Sequence, residues 1–329
     1  MIRKSMVVLG VLVVLSGTLV WCAYRRDLAA ARARIESASS VVNTACGTME
    51  YADLGDGPAI LAIHGAGGGF DQSVDLARAF LSQHYRIIAP SRFGYLRTPL
   101  PADASPMAQA DAHACLLDAL HLQKVIVAGG SMGAPSAMQF CIRHPDRCSA
   151  LILLFPIAFA PRPPGEPPPI PSPAAQFVMA TTLKSDFLFW SVLKLSPDAL
   201  MRNIGATPPE DVKNASPDEQ KRVHAILDHI LPVSERAKGL MNDAAVAPVV
   251  PRYELERITA PTLVISAEDD LFGTYKGGRY TAEHVAGARF VGYPTGGHLL
   301  VGHGDDVRQA LSEFLKVHTS SAAATEVVK

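Results

Sequence analysis

Ser131 stands in Gly129-Gly130-Ser131-Met132-Gly133, a serine with glycine two residues before it and two after. A pattern this short is weak alone, so its setting carries the weight. The apolar run KVIVAG, residues 124–129, reads as a buried strand. The following MGAPSAMQFCIRHPD reads as a helix, with Pro135 near its first turn, where a missing N–H is tolerated. A strand, a tight turn carrying serine and a helix together make a nucleophile elbow. The turn crowds positions 129 and 133, where a Cβ would clash. It also lifts the hydroxyl clear above a helix N-terminus, which favours developing negative charge.

A serine hydroxyl is a poor nucleophile at neutral pH, so a base and a group that orients the base must follow, in the order serine, acid, histidine. His298 lies behind Gly296 and Gly297 after an apolar run, a flexible approach that lets an imidazole reach over a sheet. It is the preferred general base. His303 belongs to the start of the last helix or to the surface, and His284 lies in a helical segment. Glu268, Asp269 and Asp270 follow the strand PTLVIS; one of them can orient His298, while carboxylates in such loops more often face solvent or cap a turn. HGAGGGFD, residues 64–71, adds a glycine-rich turn after the first clear strand. It lacks the Gly-Lys-Ser/Thr ending of a phosphate-binding loop and the glycine spacing of a dinucleotide site, and its position suits backbone N–H groups aimed at an oxyanion.

These residues need a scaffold that gathers them at one edge. Six short apolar runs, beginning at Pro58, Tyr85, Lys124, Ala150, Pro261 and Ala288, read as strands, most of them buried on both faces. Helical stretches separate them. One begins with Ser105 as N-cap and Pro106 at the first helical position, and DVRQALSEFLKV closes the fold as an amphipathic helix. This alternation predicts a mostly parallel central sheet flanked by helices. Residues 48–155 and 252–318 form that core. Residues 156–251 break the rhythm with a proline-dense linker, APRPPGEPPPIPSP, and then helical stretches, the mark of a helical cap inserted over the sheet. Residues 319–329 read as a flexible tail.

The N-terminus is separate. Residues 5–24 carry no Asp, Glu, Lys, Arg or His, and as a helix span about 30 Å, enough to cross a bilayer. RRDL, without a small-residue cleavage site, follows them, so a retained transmembrane anchor is expected, with Trp21 and Tyr24 at the interface. Residues 25–47 read as a solvated, Ala- and Arg-rich spacer. Basic residues flank the span on both sides, leaving its orientation open. Over the whole chain, 48% hydrophobic and 19% charged residues describe a folded protein, and 30 Lys plus Arg against 31 Asp plus Glu give no field to draw in nucleic acid. None of the five cysteines forms a Cys-x-x-Cys pair; Cys141 and Cys148 could pair across a turn, though free buried thiols are the expectation.

Taken in order, HGAGGGFD, APSRFGY, GGSMGA, PTLVISAEDD and TGGHLL resemble the α/β-hydrolase superfamily over about residues 48–317. The resemblance implies an α/β-hydrolase fold and a triad of Ser131, His298 and Asp270, the last from a Gly-x-x-Asp pattern with Ala267 in the glycine's place. It also implies an oxyanion hole from the N–H groups of Ala66 and Met132, and a structural role for His64. Ser131 sets the chain apart from the family's dehalogenases and epoxide hydrolases, which use aspartate there. The elbow is similar to that of carbon–carbon bond hydrolases, but Leu299 follows His298 where those carry an aromatic residue. The reading is therefore a membrane-anchored serine hydrolase of a small, apolar ester through an acyl-enzyme. It implies no metal, no organic cofactor and no nucleic-acid partner, and leaves the oligomeric state open. An acyltransferase or a carbon–carbon bond hydrolase on the same fold, and a non-catalytic tethered binding protein, are the alternatives.

Overall fold

Consecutive side chains of a strand point to opposite faces, so a run that is apolar at every position must be covered on both sides. A computed structural model describes residues 2–36, 38–81, 84–162 and 181–326, and in it the six apolar runs lie in one eight-stranded sheet. Its strands are β1 (Ser40–Thr44), β2 (Gly47–Leu54), β3 (Ala59–Ile63), β4 (Arg86–Pro90), β5 (Val125–Gly130), β6 (Cys148–Leu154), β7 (Thr262–Ala267) and β8 (Arg289–Tyr293). Their spatial order is β1-β2-β4-β3-β5-β6-β7-β8. The β1–β2 and β2–β4 pairs are antiparallel; the remaining pairs are parallel.

The described helices are α1 (Ile2–Glu36), α2 (Phe70–Phe80), α3 (Pro106–Ala119), α4 (Ala134–Arg143), α5 (Asp186–Leu195), α6 (Pro197–Asn203), α7 (Pro209–Asn214), α8 (Pro217–Asp228), α9 (Ala237–Val246), α10 (Thr274–His284) and α11 (Gly304–Glu326). Leu61, Ile63, Val127, Leu151 and Val264 face α3, α4 and α10, while Ile60, Ala62, Ile126, Ile152 and Ile265 face α2 and α11. Residue parity thus divides the core in two. Ser105 Oγ accepts the Ala108 N–H at 3.2 Å to start α3, with Pro106 at the first helical position. Ser216 caps α8 in the same way, accepting from Glu219 N–H. Between β6 and β7 the described residues form α5 to α9 and short 3₁₀ turns without a strand. Residues 163–180, which hold most of the proline-dense linker, lie outside the described residues.

Three expectations need correction. Residues 25–47 are not a solvated spacer. The helix that contains the apolar span continues unbroken to Glu36, and Tyr24, Leu28, Ala31 and Ile35 form a buried stripe at helical spacing. Tyr24, Leu28 and Ala31 pack with Phe189, Trp190 and Leu193 of α5, and Ile35 joins the core beside Phe70. Burial of each large apolar side chain stabilises the docking by about 1.5–3 kcal/mol. After this helix, Ser40–Thr44 form β1, hairpinned to β2 through a turn at Ala45 and Cys46 that Gly47 closes with φ of +116°. Arg32 and Arg34, which make the segment look solvated, are paired with Asp186, Glu235 and Asp71 across the interface. The second correction is at the other end: α11 runs to Glu326, through most of the expected tail. The third concerns the thiols.

Cys46 bridges Cys115, tying the β1–β2 turn to α3, and Cys141 bridges Cys148, tying the end of α4 to the start of β6. Cys22, in the apolar part of α1, is the free cysteine. That part of α1 is exposed and is long and apolar enough to cross a membrane. Alkylation of the native, unreduced chain should therefore consume one thiol equivalent at Cys22, rising to the full five only after denaturation and reduction. Mass spectrometry showing modification of Cys115 or Cys148 without reduction would contradict this pairing.

Candidate active site

The parallel register brings β3, β5, β6 and β7 to a common C-terminal edge: Ile63 pairs with Gly129, Gly130 with Leu154 and Leu154 with Ile265. Ser131 follows β5 directly and has φ of +49°, the left-handed region that a serine rarely adopts. The surroundings enforce it. A Cβ at Gly129 would lie 2.7 Å from the Ala137 Cβ, and one at Gly133 would run into the carbonyl oxygens of Ile63 and His64. Both glycines of the pattern are thus required by contact with neighbouring chain, and a 3₁₀ turn (Ser131–Gly133) leads straight into α4 beneath the hydroxyl.

His298 is carried on the loop after β8, and its Nε2 lies 2.9 Å from Ser131 Oγ. Its Nδ1 lies 2.7 Å from Asp270 Oδ2. With the carboxylate accepting, Nδ1–H donates and the Nε2 lone pair is left facing the serine hydroxyl. Asp270 is in turn fixed: its Oδ1 accepts the Phe272 N–H at 2.8 Å, and its Oδ2 accepts from Thr274 Oγ1. All three residues are buried, and the rings of Phe155 and Phe272 flank the imidazole at centroid distances of 4.6 and 5.0 Å.

The neighbouring acid does a different job. Asp269 accepts the N–H groups of Gly296 and Gly297 at 3.2 and 2.8 Å, so it shapes the approach to His298 without touching the ring. Glu268 is exposed. The cap adds two more restraints: the Ala206 carbonyl accepts the His298 N–H, and Thr207 Oγ1 accepts the Leu299 N–H, at 3.2 and 3.1 Å. Thr274, Ala206 and Thr207 carry no signal in the sequence. His303 sits against Asp306 and stacks on Tyr293, and His284 donates through Nδ1 to the Tyr280 carbonyl, so neither reaches Ser131.

The glycine-rich loop lies alongside. A Cβ at Gly65 would sit 3.0 Å from the Ser131 Cβ, so the residue just before Ala66 lies against Ser131. The Gly65 N–H donates to Gln72 Oε1 at 2.8 Å and the Gly67 N–H to Tyr95 Oη at 3.3 Å. Tyr95 donates to Asp243, which also pairs with Arg92 at 2.9 and 2.5 Å. Burial, reinforced by the Asp243 charge, pushes the Tyr95 hydroxyl well above its ordinary range, so it remains a donor. At the loop's end Asp71 is buried against Arg236, with Nη2–Oδ2 at 2.7 Å. Burial pushes its carboxyl up, but Arg236 and Arg34 outweigh that and hold it below the usual carboxylate range. His64 is fully buried; its Nδ1 donates to the Gly65 carbonyl at 2.7 Å and its Nε2 accepts the Arg92 N–H at 2.9 Å. Both nitrogens are occupied in building the loop. Among the described residues no cluster of His, Cys, Asp and Glu is arranged to hold a metal ion.

Residues 58–304 match the alpha/beta hydrolase fold family. A 2-hydroxymuconate semialdehyde hydrolase from Pseudomonas putida is 37% identical over 105 residues, covering 31% of this chain and 37% of that protein. The chain matches 29% to 40% of the length of such curated relatives. Among solved structures, an alpha/beta hydrolase fold protein from Nakamurella multipartita superposes with a TM-score of 0.66 at 27% identity, over 84% of this chain and 98% of that one. A bacterial membrane phospholipase A superposes at 0.64 and 18% identity, over 97% of this chain and 99% of its own.

Two buried imidazoles set an acid limit on this arrangement. Burial, then the charge of Arg92, pushes His64 well below its ordinary value and His113 on α3 down to about 3. Neither ring nitrogen of His113 has a hydrogen-bond partner among the described residues. Because both folded values lie below the unfolded value of about 6.5, the stability they contribute is complete above about pH 6.5 and is lost as pH falls towards the folded values. The melting temperature should drop steadily below about pH 6, and His113→Leu should reduce that slope. A melting temperature equally flat to acid in both proteins would refute the assignment.

Proposed function

The chain belongs to the alpha/beta hydrolase fold family, and on that premise we propose that it cleaves an ester-type bond of a small, apolar substrate through an acyl-enzyme on Ser131. The observation that carries this reading is the continuous line from Ser131 Oγ to His298 Nε2 and from His298 Nδ1 to Asp270, at 2.9 and 2.7 Å. In it, His298 removes the hydroxyl proton as Ser131 attacks the carbonyl carbon, and Asp270 holds the Nδ1–H tautomer and stabilises the imidazolium. The Ala66 and Met132 N–H groups hold the oxyanion. His298 then returns the proton to the leaving alcohol, activates water, and the acyl-enzyme is hydrolysed.

Phe155 and Phe272 offer an apolar wall beside the imidazole for the acyl or alcohol group. The cap aromatics Phe189 and Trp190 are spent on packing against α1 and are not proposed as substrate contacts. The exposed apolar part of α1 is read as a single-pass anchor, and the two disulfides favour placing the catalytic domain on an oxidising side of the membrane. The likeness to carbon–carbon bond hydrolases supports a second reading, cleavage of such a bond on the same residues, although Leu299 stands where an aromatic residue is usual.

Full-length chain in detergent micelles should hydrolyse p-nitrophenyl esters, and Ser131→Ala should lower kcat by at least about 10³-fold. Asp270→Asn should cost about 10⁴-fold by forcing the wrong tautomer. Asp269→Asn, which only loosens the loop, should cost about tenfold. Equal losses at 269 and 270 would break the division of labour. A folded wild type that neither hydrolyses esters nor reacts with a fluorophosphonate would sink the esterase reading and favour a binding role.

A further inference from the structure

The N-terminal helix meets the catalytic machinery at one buried carboxylate. Arg34, near the end of α1, places Nη2 3.3 Å from Asp71 Oδ2, 3.0 Å from the His229 carbonyl and 2.8 Å from the Leu231 carbonyl. One guanidinium group thereby joins α1, the first turn of α2 and the cap segment after α8. On the other side of Asp71, the fully buried Arg236 donates to both carboxylate oxygens, at 3.1 and 2.7 Å, and to the Gly68 carbonyl at 2.5 Å. Gly68 belongs to the loop that presents Ala66. Its N–H donates back to the Gly65 carbonyl at 3.4 Å, and Gly65 packs against Ser131. The chain of contacts runs from α1 to the nucleophile through four residues.

We infer that Arg34 is a positioning residue for the hydrolytic reaction: by clamping Asp71 from α1 while Arg236 clamps it from the cap, it holds the 65–68 loop at the height where the Ala66 N–H meets the oxyanion. The inference rests on the hydrolase reading above and extends it to the helix read there as an anchor. It follows from the geometry of the two arginines. Arg236 can hold Asp71 and Gly68 together, but it comes from the cap, and among the described residues only Arg34 hydrogen-bonds the pair to α1 and to the carbonyls at 229 and 231. Without that tie α1 still holds the cap segment, through Arg32 with Asp186 and Glu235, but no longer holds the carboxylate that anchors the loop, and the loop can shift. An oxyanion donor displaced by a fraction of an ångström loses transition-state stabilisation while leaving ground-state binding nearly intact.

The test uses full-length chain in detergent micelles, with reactive sites counted by fluorophosphonate titration so that each rate refers to folded enzyme. Arg34→Gln should lower kcat per site about tenfold, with KM for a short p-nitrophenyl ester within about twofold of wild type, and Arg34→Lys should recover part of the loss. In an Asp71→Asn background, Arg34→Gln should cost less than about twofold further, since both changes break the same clamp. Unchanged kcat per site in Arg34→Gln overturns the inference, as does a loss that is undiminished when Asp71 is already asparagine. If Arg34→Gln yields no titratable sites, Arg34→Lys decides: kcat per site at the wild-type level overturns the inference, and a lowered kcat at unchanged KM supports it. If wild type itself has no esterase activity, the hydrolase reading fails separately. Hydrogen exchange of the 65–71 amides then tests the clamp alone, faster exchange in Arg34→Lys supporting it and unchanged exchange overturning it.

Discussion

A serine forced into left-handed backbone geometry at the end of β5 is the constraint around which this molecule is arranged. That conformation costs on the order of 1–3 kcal/mol and persists only where packing over-determines it. Here the ends of β3 and β5, the first turn of α4 and the His64–Gly65 segment all touch the turn, with no room for a Cβ at Gly129 or Gly133. The strained residue is therefore also the place where the sheet edge, the glycine-rich loop and a helix N-terminus converge. Every other group in the site reaches towards that point from a loop at the same edge.

How those loops are held differs on the two sides of Ser131. On the histidine side, short hydrogen bonds do the positioning: two adjacent aspartates take the ring and the preceding glycine N–H groups, the Ala206 carbonyl takes the His298 N–H and the Thr207 hydroxyl takes the Leu299 N–H. On the glycine-rich side, buried charge does it, through Arg236 with Asp71 and Arg92 with Asp243. A buried pair is a modest source of net stability, but removing one partner leaves an uncompensated charge and costs about 3–5 kcal/mol. Such pairs fix geometry firmly. In both places some of the partners, Ala206, Thr207, Arg236 and Asp243, come from the segment between β6 and β7, which therefore helps to hold the geometry around Ser131.

The N-terminal helix extends the same logic outward. Its apolar part is exposed, and its last third is docked by a stripe from Tyr24 to Ile35, by Trp190 Nε1 donating to Asp27 Oδ2 at 3.0 Å, and by Arg34. A segment that crosses a bilayer would thus continue as a rigid strut into the catalytic domain. Its orientation relative to the cap would be set by side chains rather than by a flexible tether.

The sequence alone marked out six adjacent strands of the sheet, β4-β3-β5-β6-β7-β8, because short runs that are mostly apolar have few other fates. It also determined the elbow, because Gly-x-Ser-x-Gly between a strand and a helix meets a local steric demand. His298 was legible from its glycine approach and its place after the last strand. Asp270 was separated from Asp269 by family likeness alone, since two adjacent carboxylates are locally equivalent and only the tertiary structure gives each its partner. The docking of residues 24–36, the β1–β2 hairpin, both disulfides and the arginine clamps on Asp71 and Asp243 were decided by tertiary structure. Each depends on contacts between residues far apart in the chain, or on charges whose pairing is invisible until burial removes water as the alternative partner. Local sequence specifies what a segment can become; which charged and polar groups must then find each other is settled only when the chain closes around them.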